Sequence, residues 1–193
     1  MRPISPFNYL IKSNAETVSK WGLFSFYIKG ECNGDWKKFL VKDISHLDLS
    51  NYNKIEMVQD YLYIDKLTIV RKRKCIKNNK TTYTYTIKTD KKNLSVNEIE
   101  KEITEDEYNS LPTNTIYNSL SKTRYIIPYI DDLKIELDIF HGIYDGIIFA
   151  EIEFNSEEQA NSIIPVPDWF DKELSHTITN SDMAMRKVEM EEF

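Results

Sequence analysis

The sequence has little cysteine, little glycine and no long hydrophobic run. Its two cysteines, Cys32 and Cys75, lack CxxC spacing and have no nearby pair of histidines, so neither a disulfide framework nor a zinc site is predicted. No run approaches the ~20 apolar residues that cross a bilayer, and segment 1–20 lacks the apolar core of a signal peptide. A cytoplasmic protein without a membrane partner is therefore expected.

An excess of positive charge is also missing. The 25 lysines and arginines are outnumbered by 31 aspartates and glutamates, which gives a net charge of −6. General attraction to nucleic acid is therefore not predicted, and any anion-binding site has to be local. The RKRK run at 71–74 alternates within a predicted strand, so Lys72 and Lys74 are expected to face solvent while Arg71 and Arg73 turn inward.

The sequence is rich in short runs of Ile, Val, Thr and Tyr, which favour strands. A length of 193 residues with 41% hydrophobic content fits one domain. Thr104 with Glu107, and Ser156 with Gln159, have capping-box spacing and predict two helices. The predicted fold class is α+β, mainly β, with antiparallel strands joined by short polar turns. Nine strands are predicted, at 24–30, 37–41, 55–64, 67–76, 81–89, 98–103, 123–129, 134–140 and 147–154.

Several predicted strands carry charge on one face only. Residues two apart share a face of a strand, so Glu136 lies beside Asp138 and Glu151 beside Glu153, with apolar residues between them. Such a face is usually the solvated side of an antiparallel sheet. Acids and bases are segregated onto different strands here, which favours a barrel lined by opposed charges instead. The other residues that follow this pattern are Arg71, Arg73, Lys88, Glu98, Glu100, Glu102, Lys122 and Arg124.

A charged barrel interior needs compensation, because unpaired buried ions are costly. A highly anionic ligand together with a divalent cation supplies it. Arginine and lysine clamp phosphate oxygens, while paired carboxylates hold Mg²⁺ or Mn²⁺. A barrel of about eight strands holds one small ligand, so a phosphate-rich small molecule is the predicted partner.

The order and spacing of the motifs resemble the CYTH superfamily, the triphosphate tunnel metalloenzymes, which includes inorganic triphosphatases, thiamine triphosphatases and class IV adenylyl cyclases. The resemblance implies a closed eight-stranded antiparallel barrel with helices packed outside, and phosphoanhydride chemistry with Mg²⁺ or Mn²⁺. Residues 31–185 would form this tunnel domain, after an N-terminal extension (1–30) with an extra or displaced strand and before a charged tail (186–193). The matching motifs are KKFLVKD (37–43), VQDYLYI (58–64), IVRKRK (69–74), YTIKT (85–89), EIEKEIT (98–104), SKTRY (121–125), IELDIFHG (135–142), GIIFAEIEF (146–154), PDWFDKELS (167–175) and TNSDMA (179–184).

The same resemblance assigns roles to individual residues. Lys38 and Tyr61 would be catalytic, one of them orienting or deprotonating water with a pKa lowered by the surrounding cations. The family's first strand reads Glu-x-Glu-x-Lys, but Gly34 and Trp36 occupy the two glutamate positions before Lys38. The substrate-binding residues would be Arg71, Arg73, Lys88, Glu100, Lys122 and Arg124, and the metal ligands Glu136, Asp138, Glu151 and Glu153.

Three functions remain open. The leading hypothesis is a metal-dependent triphosphatase that acts on inorganic triphosphate or an organic triphosphate, as a monomer or homodimer. The second is a non-catalytic polyphosphate- or nucleotide-binding protein that has lost its first-strand metal ligands. The third is a class IV adenylyl cyclase, which also requires a nucleobase pocket.

Overall fold

The computed structural model describes residues 27–29, 36–91, 95–113, 116–154, 157–161, 165–175 and 177–185. Within these ranges the chain forms nine strands in one sheet, in the order β1-β6-β5-β4-β3-β7-β8-β9-β2. All neighbouring strands are antiparallel, so the mainly β, antiparallel architecture is confirmed. The strands are β1 (Tyr27–Lys29), β2 (Trp36–Leu40), β3 (Asn53–Ile64), β4 (Thr68–Lys77), β5 (Lys80–Lys91), β6 (Ser95–Ile103), β7 (Leu120–Pro128), β8 (Lys134–His141) and β9 (Ile148–Glu153).

The strand count differs from the eight that the family resemblance implies. The additional strand is β1, which pairs with β6 through Tyr27 opposite Glu100. It lies within the segment where an extra or displaced strand is expected. Of the two first-strand positions that depart from the family pattern, Trp36 begins β2, and Gly34 lies outside the described residues.

Three short α-helices accompany the sheet in the described ranges: α1 (Glu105–Ser110), α2 (Glu157–Asn161) and α3 (Asn180–Met185). The Glu107 amide donates to the Thr104 hydroxyl, and the Thr104 amide donates to the Glu107 carboxylate at 2.7 Å, so the first predicted capping box is confirmed. The predicted cap at Ser156 lies outside the described residues. No helix in the described ranges is long and apolar enough to cross a membrane.

One hydrophobic core covers the outer face of the sheet. Alternation places Ile135 and Leu137 of β8 on this face, together with Ile152 of β9. The chain around 165–170 packs over them, and the rings of Phe39 and Phe170 lie 4.7 Å apart. The apolar sides of the charged strands therefore point outward, as the alternation predicts.

A second hydrophobic cluster occupies one end of the inner face. It runs across five adjacent strands, β3, β7, β8, β9 and β2. Helix α3 adds the fully buried Met183 and Ala184, and the Tyr144 hydroxyl donates to the Met183 carbonyl. This apolar end, as it is called below, comprises on the strands Leu40, Tyr61, Leu120, Phe140 and Phe149.

Segment 171–174 covers the free edge of β2. The Leu40 amide donates to the Lys172 carbonyl at 2.8 Å, and the Leu174 amide donates to the Lys38 carbonyl at 2.7 Å. A covered edge satisfies backbone groups that an edge strand otherwise exposes. These bonds also fix the backbone of Lys38, a predicted site residue.

Lys72 corrects one expectation about the RKRK run. The residue does lie on the outer face, but it is 4% exposed rather than solvated. Its ammonium donates to the carbonyls of Tyr108 and Leu111 at 3.3 and 3.2 Å, and lies 4.6 Å from the Tyr108 ring centroid. Helix α1 packs over this part of the sheet, and its C-terminal carbonyls take up the cation.

Candidate functional site

Charged side chains lie on the inner face beyond the apolar end. Cys75 on β4 lies among them, so the charges that act on its thiol identify its neighbours on this face. Burial raises the pKa of its thiol, and the charges that act on it are those of Arg73, Glu100, Arg124 and Lys122. These four residues belong to β4, β6 and β7. Acidic and basic residues from separate strands therefore meet on one surface, as the sequence predicts.

The most buried pair joins Lys122 of β7 to Asp138 of β8. The side chains are 5% and 1% exposed, and the Lys122 ammonium donates to the Asp138 carboxylate. Burial lowers the pKa of Lys122 to about 8, although Asp138 opposes the effect. Burial raises the pKa of Asp138, but Lys122 and Arg124 outweigh it and hold that pKa at about 2.

Arg124 is the central cation of this wall. Its Nε and Nη2 donate to the two oxygens of Asp138 at 2.6 and 2.7 Å. Its Nη1 donates to Glu136, and Nη2 also reaches Glu151 at 3.3 Å. Burial lowers the pKa of Arg124, but the carboxylates outweigh it and raise the pKa above its ordinary value. The predicted phosphate-binding arginine is thus held by three of the four predicted metal ligands.

Lys38 lies against the same wall from β2. The side chain is 3% exposed, and its ammonium lies 2.9 Å from Glu151. It also donates to the Ile178 carbonyl at 3.1 Å and lies 5.4 Å from the centroid of the Trp36 ring. Glu153, the last residue of β9, is exposed and stands opposite Trp36 in the strand pairing.

A different arrangement surrounds the cations of β4. The Nε and Nη2 of Arg73 donate to Gln59 Oε1 at 3.0 and 2.8 Å, and Gln59 Nε2 donates to the Tyr61 hydroxyl at 2.6 Å. Arg71 lies 3.5 Å from Glu98. Burial lowers the pKa of Arg71, and the like charge of Arg73 lowers it further. This wall is therefore less neutralised than the wall around Arg124.

Of the two residues for which a lowered pKa is a candidate, Lys38 and Tyr61, the tyrosine does not have one. The side chain is 3% exposed within the apolar end. Burial raises the pKa of the phenol to about 12, although Arg71 and Arg73 pull it down. The phenol therefore stays protonated near neutral pH, where it can hold water by a hydrogen bond but does not serve as a base.

The remaining predicted substrate-binding residues lie on β5 and β6. The Lys88 ammonium lies 2.9 Å from Glu98. Glu100 accepts a hydrogen bond from the Thr86 hydroxyl at 3.0 Å. Glu100 is therefore held by Thr86, and its negative charge acts on Arg71 across β5, where it opposes the lowering of the arginine pKa by burial.

The carboxylates of the inner face differ in how well their surroundings suit a divalent cation. Asp138 does not fit, because Arg124 and Lys122 take both of its oxygens. No group of three or more Asp, Glu, His or Cys in the described part of the chain could hold a metal. Glu136 and Glu151 do stand directly opposite each other on β8 and β9, and burial, with nearby carboxylates, raises the pKa of Glu136. Only one oxygen of Glu136 is bonded to Arg124, whereas both oxygens of Glu151 are engaged, one by Lys38 and the other by Arg124. The pair would therefore bind Mg²⁺, which is commonly held by one or two carboxylates plus substrate phosphates, only after Glu151 releases a cation.

Sequence reasoning missed part of this surface. Gln59 bridges Arg73 and Tyr61 by hydrogen bonds. Because Gln59 lies two residues before Tyr61 in β3, strand alternation could have predicted that both face inward. Phe140 and Phe149 could have been found in the same way, since they follow Asp138 and precede Glu151 by two residues. The charged part of the inner face is therefore bounded by the apolar end.

Two surface clefts lie away from these charges. One, of about 630 Å³, is lined by residues that include Lys42 and Asp171, and the other, of about 390 Å³, by residues that include Tyr129 and Pro165. Lys42 and Asp171 neutralise each other at 2.8 Å. Both clefts are on the outer side, where the predicted site residues are absent.

Comparison with known proteins agrees with this geometry. The chain is 35% identical over 95 residues to the inorganic triphosphatase of Nitrosomonas europaea, an alignment that spans 49% of this chain and 62% of that protein. A crystal structure of an inorganic triphosphatase superposes with a TM-score of 0.59 at 27% identity, covering 79% of this chain and 95% of that chain. A second crystal structure of that same protein, described as hypothetical, gives a TM-score of 0.57 at 26% identity, covering 79% of this chain and 98% of that chain. No protein-family model matches the chain.

Sequence motifs, strand order and structural similarity thus agree. The chain has a CYTH-like triphosphate tunnel fold, and the family resemblance seen in its sequence is confirmed.

Proposed function

We propose that the protein is a triphosphatase that binds an inorganic or organic triphosphate on the charged inner face and hydrolyses a phosphoanhydride bond. The observation that carries the proposal is the grouping of five cations, Lys38, Arg71, Arg73, Lys122 and Arg124, on one buried surface. A polyanion is the ligand that such a surface fits, since its charge repays the burial of the cations.

Closure of the sheet into a tunnel is part of the proposal, and chain connectivity supports it. β1 and β2 are at opposite ends of the strand order. In a flat sheet they would be about 38 Å apart at the usual strand spacing of about 4.8 Å. Residues 30–35 connect them, and the seven peptide steps from Lys29 to Trp36 span at most about 25 Å. This short connection favours a sheet that curls until its ends approach each other, which supports closure.

Burial on the inner face supports closure as well. The outer core, α1 and segment 165–170 pack on the outside of the sheet, yet Asp138, Lys122 and Lys38 on the inside have side chains that are only 1%, 5% and 3% exposed. In the described part of the chain, only the apolar end places another element against the inner face. A sheet that wraps around its own inner face explains this burial.

The chemistry follows from positioning and charge neutralisation, the main demands of phosphoryl transfer. Arg71, Arg73 and Lys88 would hold phosphate oxygens on one wall, with Lys122 and Arg124 on the other. Lys38 and Tyr61 lie at or beside the apolar end, where each can hold the attacking water by a hydrogen bond. A divalent cation held by Glu136 and Glu151 would neutralise phosphate charge.

Binding without catalysis is the second candidate, and a specific observation favours it. Trp36 stands where the family has a first-strand glutamate, and Glu151 is paired with Lys38 and Arg124. These cations neutralise a carboxylate that a metal would otherwise engage. A protein of this kind would bind oligophosphate without a metal and would not turn it over.

A phosphate-release screen separates the two candidates. Tripolyphosphate, thiamine triphosphate and ATP are each incubated with Mg²⁺, with Mn²⁺ or with EDTA, and the products of ATP are also analysed for cyclic nucleotide. Triphosphatase activity predicts metal-stimulated orthophosphate release from at least one substrate. Calorimetric binding of tripolyphosphate in EDTA, without release under any condition, would establish the binding protein instead. Cyclic nucleotide from ATP would establish a cyclase.

A further inference from the structure

Two buried hydrogen-bonding atoms on the inner face have no partner among the residues that the structure describes. They are Nε of Arg71 and the hydroxyl oxygen of Thr84. A buried donor without an acceptor loses its bond to water and gains nothing in return, so native structures rarely retain one without a reason. A site that receives a ligand is such a reason.

The strand pairing places these two atoms beside each other. Thr84 of β5 stands directly opposite Arg73 of β4, and Thr86 stands opposite Arg71. Arg71 and Thr84 are therefore diagonal cross-strand neighbours on one face, with Cα atoms roughly 7 to 8 Å apart. A phosphate group can reach donors at this separation.

The neighbouring Thr86 on the same face provides a comparison, because its hydroxyl does have a hydrogen-bond partner. Thr86 donates to Glu100, its neighbour on β6, at 3.0 Å. Thr84 has Glu102 opposite it on β6, but Glu102 is exposed and does not take the hydroxyl proton. In the same strand arrangement, the Thr86 hydroxyl is therefore hydrogen bonded to protein, whereas the Thr84 hydroxyl can donate to a ligand.

The charge around Thr84 selects an anion. Arg73 is hydrogen bonded to the neutral amide of Gln59, and among the described residues it makes no ion pair. Arg71 has a carboxylate only at 3.5 Å. A water molecule could take the hydroxyl proton, but it would leave the charge of Arg73 without a counter-charge and that of Arg71 with only the carboxylate at 3.5 Å. A ligand with several negatively charged oxygens satisfies both requirements.

We propose that Thr84 is a substrate-binding residue, whose hydroxyl donates to a phosphate oxygen that also accepts from Arg71 or Arg73. The inference rests on the proposed triphosphate function and adds to it a neutral donor on the β4–β5 wall. Phosphate oxygens only accept hydrogen bonds, so the hydroxyl has one role there. No covalent step involves Thr84.

Thr84→Val tests the proposal, because a methyl group replaces the hydroxyl at nearly the same size. Without ligand, the variant removes an unsatisfied buried group, so its melting temperature is expected to rise by about 2 to 4 °C. Its dissociation constant for tripolyphosphate, measured by calorimetry, is expected to increase about tenfold. The two readouts move in opposite directions, which a purely structural role for the hydroxyl does not produce.

Three control variants sharpen this comparison. Thr84→Ser keeps the hydroxyl and is expected to bind tripolyphosphate as the wild type does. Thr86→Val removes a hydroxyl that is already paired with Glu100, so it is expected to lower the melting temperature. Thr81→Val alters an exposed residue of the same strand and is expected to change neither quantity.

The outcomes separate the role of Thr84 from the function of the protein. Unchanged tripolyphosphate affinity in Thr84→Val, with wild-type turnover intact, would overturn the role of Thr84 and leave the triphosphatase standing. Wild-type binding without turnover would overturn the triphosphatase, and the affinity of Thr84→Val would still decide the role of Thr84. Absence of any wild-type binding would overturn both.

Discussion

Asp138 and Arg124 form a two-pronged ion pair, in which Nε and Nη2 of the arginine lie 2.6 and 2.7 Å from the two carboxylate oxygens. Lys122 donates to the same carboxylate from the other side. With both oxygens occupied, Asp138 holds two phosphate-binding cations in place. Its predicted role as a metal ligand has no support in these contacts, and we expect it to act through Arg124 and Lys122.

Asp138→Asn is expected to destabilise the protein strongly. The change leaves two buried cations facing a neutral amide, and removing one partner of a buried ion pair typically costs about 3 to 5 kcal/mol. Urea unfolding at pH 7 measures the effect. The control is Asp171→Asn, which breaks the exposed pair with Lys42 at 2.8 Å and should cost less than about 1 kcal/mol. Equal costs in the two variants would mean that Asp138 is not the anchor of this wall.

The stability gap between wild type and Asp138→Asn is expected to depend on pH. The pKa of Asp138 is lowered to about 2 in the folded protein from its ordinary value of 3.8, so its charge stabilises the fold above about pH 4 and ceases to do so as the pH falls toward 2. Unfolding free energies of both proteins between pH 7 and pH 2 measure the gap. A gap that stays constant across the acid range would contradict the ionised pair.

Lys122 is expected to limit phosphate binding at alkaline pH. Burial lowers its pKa to about 8, so the residue loses its charge as the pH rises through 8, well before an ordinary lysine does. The affinity for tripolyphosphate is therefore expected to fall between pH 8 and pH 10. Tripolyphosphate also titrates in this range, so the measured quantity is the ratio of the wild-type affinity to the affinity of Lys122→Met. This ratio should approach one as the pH rises to 10. A ratio that is constant up to pH 10 would show that Lys122 keeps its proton.

Tyr61→Phe is expected to reduce turnover without reshaping its pH profile. The pKa of the phenol is about 12, so the hydroxyl is protonated from pH 6 to pH 10 and contributes a hydrogen bond throughout that range. The loss of one such bond predicts turnover about tenfold lower. Turnover rates of both proteins across the range provide the test. Loss of an alkaline or neutral limb in the variant would indicate that Tyr61 titrates during catalysis.

The alternation of residue types was sufficient to predict the strands and their faces. Ile135 and Leu137 lie in the outer core while Glu136 and Asp138 face inward, because residues two apart share a side of any strand. The capping box at Thr104 was also predictable, since it depends on two residues three positions apart. Local spacing thus determines these features.

Features that depend on packing between distant segments could not be predicted in this way. Lys72 is buried only because α1 packs over it from thirty-six residues away, and neither strand alternation nor charge reveals that contact. The apolar end likewise depends on α3 docking against the strands. The raised pKa of Tyr61 follows from that burial, whereas the sequence shows only its charged neighbours.

The central claim is that the inner face, and not the outer one, binds and cleaves triphosphate. Arg73 and Lys74 are adjacent on β4 and point to opposite faces, with Arg73 on Gln59 inside and Lys74 over the Tyr83 ring outside. Arg73→Gln and Lys74→Gln remove the same charge, so their rates of orthophosphate release from tripolyphosphate compare the two faces directly. A site on the inner face predicts a rate at least about a hundredfold lower for Arg73→Gln, from the lost charged hydrogen bonds, and a wild-type rate for Lys74→Gln. Equal rates in the two variants, or a loss confined to Lys74→Gln, would contradict it.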